Sequence, residues 1–441
     1  MSAFDLQAHL NAVRRAADWQ QIGYIRRVIG LTLEASGLST RIGDVCLIEV
    51  DGENRLPAEV VGFRDGRILM MPLGELTGIA PGARVIATGE PLQLRVGPGL
   101  VGRVINAVGE PIDGRGPLAV SDHWPTHGEA PAPMKRRLIS TPLEVGVRAI
   151  DGLITCGKGQ RVAIMAGSGV GKSTLLGMMS RNTTADVNCI ALIGERGREV
   201  REFLENDLGP EGLARSVVVV ATSDEPPLLR IRGALVATAI AEYFRGQGQD
   251  VLLVMDSLTR FAMAQREVGL AIGEPPTTRG YTPSVFSMLP RLLERAGSDE
   301  HGTITGFYTV LVEGDDFSEP IADAVRSIVD GHVVLSRALA ERNHYPAIDV
   351  LASVSRVMSQ VTDERHQESA GAVRRMLATY KDAEDLINVG AYRSGANPAI
   401  DRAVASIDGI NAFLRQGRHE PAPWEETMRR LQDLAADDES A

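Results

Sequence analysis

Apolar positions along the chain follow three patterns in succession. From about Ile22 to Glu90 they come in short bursts broken by Gly and Pro. Examples are Val45-Cys46-Leu47-Ile48-Glu49-Val50, Ala58-Glu59-Val60-Val61-Gly62-Phe63 and Ile68-Leu69-Met70-Met71-Pro72. Strands spaced this closely predict a small β-barrel or sandwich. From about Pro91 to Ile348, apolar runs alternate with stretches of helical spacing. The runs at 161–166, 188–194, 216–222, 251–256, 303–311 and 332–336 predict strands, with helices such as 228–245 and 318–329 between them. Ser216-Val217-Val218-Val219-Val220-Ala221 is apolar on both faces, the pattern of a strand covered on both sides in a parallel sheet. From about Asp349 onward Gly and Pro thin out. There Val373, Met376, Leu377, Tyr380 and Leu386, and then Ile400, Val404, Ile407, Ile410 and Leu414, supply the faces of a helical bundle. Ahead of the barrel, Phe4, Leu6, Leu10, Val13 and Ala17 predict a short amphipathic helix over 3–20. The expected organisation is therefore an N-terminal helix (1–21), a β-barrel (22–90), an α/β domain (91–348) and a helical domain (349–441).

The first central strand ends in Ala166-Gly167-Ser168-Gly169-Val170-Gly171-Lys172-Ser173-Thr174, followed by a helix-like run. Strand, Gly-rich turn and helix in that order form a phosphate-binding loop. The glycines let successive backbone N–H groups point inward at an anion, beside the positive end of the helix. Lys172 would reach the outer phosphates and the Ser173 hydroxyl would ligate Mg²⁺. The first position is Ala166 where glycine is usual, and a small residue suffices there.

A loop of this kind specifies nucleotide binding. Hydrolysis also needs a placed metal, a group that orients water, and positive charge on the γ-phosphate. Val251-Leu252-Leu253-Val254-Met255-Asp256 is an apolar strand ending in an acid, and ligands sit at the carboxyl ends of strands in an open parallel sheet. Asp256 is thus a candidate for the Mg²⁺ shell, the plainer alternative being a cap for the next helix. Ile190-Ala191-Leu192-Ile193-Gly194-Glu195-Arg196 ends in an acid one strand along, which makes Glu195 a candidate general base. Arg196 would orient it or touch phosphate, unless the two are a surface pair. Arg356 has the planar charge that suits a phosphoryl transition state, but on sequence alone it is one arginine among many and a structural salt bridge is the favoured reading.

Composition narrows the field. With 46 Lys+Arg against 57 Asp+Glu, a net charge of −11, the chain lacks the basic footprint of a nucleic-acid binder. Its aromatics are only 4%, so the cores are aliphatic. The three cysteines, Cys46, Cys156 and Cys189, match no metal spacing and fit a reducing cytosol. The opening residues lack a basic region followed by an apolar stretch, and no run approaches the ~18 apolar residues of a spanning helix. A cytoplasmic protein with at most peripheral membrane association is expected.

With these residues in view, the chain resembles the hexameric ATPases of bacterial type III export, and within them the flagellar protein-export ATPase. The resemblance is carried by Met165 to Met179, Ala191 to Phe203, Asp256 to Glu267, Gly273-Glu274-Pro275-Pro276-Thr277, Tyr308 to Asp316 and His344-Tyr345-Pro346-Ala347-Ile348-Asp349. It spans about residues 22–430. The family is similar to the catalytic subunit of rotary ATP synthases. It implies a RecA-like P-loop NTPase core with an N-terminal β-barrel and a C-terminal helical domain, an α/β protein that hydrolyses Mg-ATP. It implies Glu195 as the catalytic glutamate, Tyr345 as an adenine-stacking residue and Arg356 as an arginine finger delivered to a neighbour's site, hence a homohexameric ring. It further implies a central stalk engaging a pore segment near Arg266–Arg279, a regulator, export substrates with their chaperones, and placement at the inner-membrane export apparatus. A virulence secretion ATPase is the nearest alternative. An RNA-translocating helicase would need a basic, aromatic-bearing N-terminal surface, and a non-catalytic rotary subunit would lack Glu195.

Overall fold

The computed structural model describes residues 21–51, 54–312, 314 and 316–439; the helix expected over 3–20 lies outside them. They form two compact units. One comprises the described residues up to Gln93 with Val268–Glu274, the other Leu94–Glu267 with the described residues from Pro275 onward.

The first unit contains a closed barrel of β1 (Ile22–Ile29), β2 (Thr32–Ser36), β3 (Asp44–Asp51), β4 (Asn54–Arg64), β5 (Arg67–Pro72) and β6 (Arg84–Pro91), in the order β1-β2-β5-β4-β3-β6. Every neighbouring pair is antiparallel. Alternate residues point inward, so Ile25, Leu33, Ala35, Cys46, Ile48, Ala58, Val60, Ile68, Met70 and Val85 make a core of aliphatic and sulfur side chains. Closure leaves no unpaired edge.

The second unit is built on a sheet of β7 (Val104–Asn106), β8 (Arg161–Ala166), β9 (Val187–Glu195), β10 (Ser216–Thr222), β11 (Asp250–Asp256), β12 (Thr303–Leu311), β13 (Gly331–Leu335) and β14 (Ile348–Ser355). Their order is β14-β13-β8-β12-β11-β9-β10-β7, with the short strand Gly297–Ser298 paired to β12. All pairs along this order are parallel except β13 with β14. Helices cover both faces, so the central strands are buried throughout, and the all-apolar runs reflect that burial. The helix Pro227–Gly246 is itself buried along nearly all its length.

One feature departs from the sequence expectation. The limit expected at 348/349 falls inside β14, whose residues alternate between buried and more exposed, and regular helix resumes only beyond it. The long helices Glu364–Asn388, Pro398–Leu414 and Trp424–Glu439 then follow. Val373, Met376, Ile410, Phe413, Leu414 and Leu431 pack into one core with Ile150 and Leu153 of the helix Arg148–Leu153, while Leu386 stays 52% exposed. The last helix runs through the acidic residues Asp437, Asp438 and Glu439.

Candidate active site

Three parallel strands end together. β8 runs into the Gly-rich loop, where Gly169 (φ 78°) and Gly171 (φ 91°) take the left-handed conformation that glycine accepts without strain. Gly167 and Val170 are buried, whereas Ser168 and Gly169 are exposed. Lys172, Ser173 and Thr174 open the helix Lys172–Asn182, and no side chain caps its start. Its first backbone N–H groups are thus left facing the loop, a ready anion cradle.

Lys172 crosses from this helix to the two neighbouring strand ends. Its Nζ lies 2.5 Å from Asp256 Oδ1 and 3.4 Å from Glu195 Oε1. Asp256, at the end of β11, is 2% exposed and also accepts a bond from Thr309 Oγ1 at 2.7 Å. Burial disfavours the Lys172 ammonium, but the two carboxylates outweigh it and hold its pKa above the ordinary lysine value. For Glu195, burial and the nearby Asp256 charge raise the pKa, more than Lys172 and Arg260 lower it. Two acids and one base thus share the pocket, with the Arg260 cation close to Glu195.

The structure sorts the remaining predicted residues. Arg196 is two-thirds exposed and donates to Glu199 Oε1 at 2.8 Å, so it points away from the loop and touches the site only through Glu199, which hydrogen-bonds Glu195. Tyr345 lies against the loop: a Cβ at Gly171 would come within 3.4 Å of two of its ring carbons. Its ring is 41% exposed, and its carbonyl accepts from the Gln416 backbone N–H at 2.9 Å. Arg356 is elsewhere. Ser355 pairs with Gly331 at the start of β13, whereas Ala166 pairs with Leu335 at its end. Strands rise about 3.3 Å per residue, so Arg356 sits at the opposite end of the strands from the loop of its own chain. There its backbone N–H donates to Asp330 O at 3.0 Å.

Arg260 joins the site unannounced. Gly194 (φ 70°) is so close to it that a Cβ there would lie 2.8 Å from the Arg260 Cβ. The helix Leu258–Ile272 begins two residues after Asp256, and its first turn carries Arg260 beside the end of β9. The signal available in sequence was this spacing of four residues from the strand-end acid. As for a metal, Mg²⁺ takes one or two protein oxygens and completes its shell with phosphate and water, which the Ser173 hydroxyl and the Asp256 carboxylate fit.

Comparison with known proteins identifies the lineage. Residues 146–355 match the nucleotide-binding domain of the ATP synthase alpha/beta family, 25–89 its beta-barrel domain, and 362–433 the C-terminal domain of the T3SS EscN ATPase. The flagellum-specific ATP synthase of Bacillus subtilis is 55% identical over 439 residues, covering 98% of this chain and 99% of that one. This chain belongs to that family. The type 3 secretion system ATPase of Xanthomonas euvesicatoria is 54% identical over 419 residues, covering 95% of each chain. Among solved structures, the assembled ATPase EscN of enteropathogenic E. coli superposes with a TM-score of 0.89 at 44% identity, covering 94% of this chain and 100% of that one. EscN has also been solved in complex with its central stalk EscO (TM-score 0.87). The nucleotide-binding core, the barrel and the helical domain expected from sequence are those of a family of nucleotide-hydrolysing enzymes. No helix among the described residues is long and apolar enough to cross a membrane.

Proposed function

We propose that the protein hydrolyses Mg-ATP at the interfaces of a homohexameric ring and energises type III protein export, in flagellar assembly. The observation that carries this is Lys172 held between Asp256 and Glu195 at the strand ends, beside an uncapped helix start and the Tyr345 ring. In this reading Gly167, Ser168, Gly169, Val170, Gly171, Lys172, Ser173 and Thr174 cradle the phosphates and Tyr345 stacks on the base. Ser173 and Asp256 would hold Mg²⁺, which would supply positive charge to neutralise the outer phosphates. An entering phosphate draws Lys172 from the carboxylates. Glu195 then loses the cation that lowered its pKa, and burial leaves it a stronger base for the attacking water. Arg356 supplies charge in trans, since its own loop lies at the opposite end of the strands. Arg196 acts at most by holding Glu199 against Glu195.

The EscN assembly supports the ring, and its complex with EscO supports a central-stalk partner for this chain as well. Regulator proteins, export substrates with chaperones, and a cytoplasmic position peripheral to the inner-membrane export apparatus complete the reading. A virulence secretion ATPase is the second reading, because the Xanthomonas secretion ATPase is about as similar as the Bacillus flagellar one. Deleting the gene separates the two: loss of flagellar filaments and motility supports the first, and intact motility overturns it. For the chemistry, Glu195→Gln should still bind Mg-ATP yet hardly turn it over, and unchanged turnover would remove Glu195 from the reaction. Arg356→Ala should cost on the order of 10³-fold in rate. Mixing the two inactive variants should restore part of the activity, because some interfaces then receive an intact Glu195 and an intact Arg356. Failure of every mixture to recover would exclude the shared site.

A further inference from the structure

On the far side of the sheet from the Lys172 helix, a cavity of about 230 Å³ is lined by Phe317, Arg326, His332, Val334 and Ala352. None of these is an acid. Arg326 reaches in from the helix Pro320–Ile328. Its guanidinium lies 6.0 Å from the Phe317 ring centroid, and Nη2 makes one long bond to Phe317 O at 3.3 Å and a contact with Met165 Sδ at 3.9 Å. Its Nε is buried without a partner. The Arg326 carbonyl in turn accepts from Arg356 Nη2 at 3.4 Å, so the two arginines abut. His332 Nε2 donates to Ala352 O (3.1 Å); burial, with both arginine charges nearby, lowers its pKa against the opposing pull of that bond.

Several other part-buried arginines are compensated. Arg103, Arg161, Arg230 and Arg295 each meet a carboxylate, and Arg215 and Arg374 each donate to two backbone carbonyls. Arg326 and Arg356 meet no carboxylate among the described residues. A guanidinium cannot shed its charge, and enclosing one without an anion is costly. Arg326 is part-buried and Arg356 is exposed, and they lie side by side at the margin of β14, the sheet's edge strand, where an anion from outside the protomer can reach both.

We propose that Arg326 is a second cation delivered with Arg356 to the phosphoryl oxygens of the nucleotide held by the adjacent protomer. This rests on the shared-interface reading of Arg356. One charge-assisted bond contributes about 1.5–3 kcal/mol, so Arg326→Ala should lower kcat roughly 10–100-fold. Nucleotide affinity of the dilute protomer should be unchanged, because its own loop is untouched, and Arg326→Lys should regain part of the rate. The deciding experiment mixes Arg326→Ala with Glu195→Gln in parallel with Arg356→Ala and Glu195→Gln. Recovery in both mixtures is the expected result. Recovery for Arg356→Ala alone would place Arg326 within its own protomer and overturn the inference while leaving the shared interface intact. Recovery in neither would overturn both, and undiminished turnover of Arg326→Ala would overturn the inference directly. Should Arg326→Ala lose its helical circular dichroism, Arg326→Gln carries the same mixture.

Discussion

Lys172, proposed above to grip the substrate's phosphates, has a second task visible in the structure. Without an anion in the loop, its ammonium is what allows Asp256 and Glu195 to sit near each other out of water. Lys172→Ala should therefore do more than weaken nucleotide binding. Removing one partner of a buried ion pair costs about 3–5 kcal/mol; with Lys172 12% exposed, the lower end applies. The loss should depend on pH with a definite sign. Glu195 already has a folded pKa raised by burial and by Asp256, and taking Lys172 away raises it further. A carboxyl whose pKa is raised on folding contributes stability at low pH and loses it as the pH climbs through the folded value. The variant should thus approach the parent's stability in mild acid and fall behind it towards neutrality, as urea midpoints across pH would show. A constant deficit at every pH would mean that the carboxylates do not repel each other as described. Arg196 teaches the complementary lesson about what sequence conveys. That it follows the strand-end acid was readable, but its direction was not, because a pairing with Glu199 one helical turn on competes with any phosphate-directed pose.

Among elements, the parallel strands were the most legible, since burial on both faces writes them as unbroken apolar runs such as Val217 to Ala221. β14 was the least: Ile348 to Ser355 alternates, lies at the sheet edge and abuts helical sequence. The barrel's strand order was likewise hidden, because pairing β2 with β5 is a non-local choice that no local pattern records. The C-terminal helices were readable as helices, but their attachment was not. That attachment runs through Arg148, a 4%-exposed side chain whose guanidinium donates to Phe413 O at 2.8 Å, to Arg415 O and to Glu420. Gln416, in the same loop, caps Arg148 N–H at 2.9 Å and Gly146 O at 2.9 Å, while its backbone N–H holds the Tyr345 carbonyl. Glu420 is 44% exposed, so its ion pair adds little. The two orphaned carbonyls dominate at about 1–3 kcal/mol each. Arg148→Ala should therefore destabilise the fold by roughly 3 kcal/mol and, by loosening the loop behind Tyr345, weaken nucleotide binding. Chemical denaturation and a fluorescent-nucleotide titration measure the two effects separately. A stability loss with unaltered affinity would uncouple the helical domain from the base-binding side of the site.

For the whole molecule, the proposed function turns on one chain carrying the loop and Arg356 at opposite ends of the strands of a single sheet. The loop stands at the end of β13's partner strand β8, and Arg356 at the start of β13, a separation that a guanidinium on its own chain cannot span. On the proposed reading the isolated protomer is complete for binding and incomplete for chemistry. It should take up nucleotide through the loop, Lys172 and Tyr345 at any concentration. Its turnover, lacking the trans arginine, should run at about one-thousandth of the assembled rate or less. Specific activity should consequently rise steeply as protein concentration carries the population from protomers to rings, then level off, while nucleotide occupancy measured on the same samples stays flat. Adding excess Arg356→Ala to an assembled preparation should lower the rate by diluting competent interfaces, with loops still filled. The two curves have to separate for the site to be shared. If binding and turnover rise together, assembly creates the loop's affinity and the division between the two strand ends is not the reason for the ring. If specific activity is flat down to concentrations at which sedimentation shows only protomers, each chain must complete its own site, against the placement of Arg356.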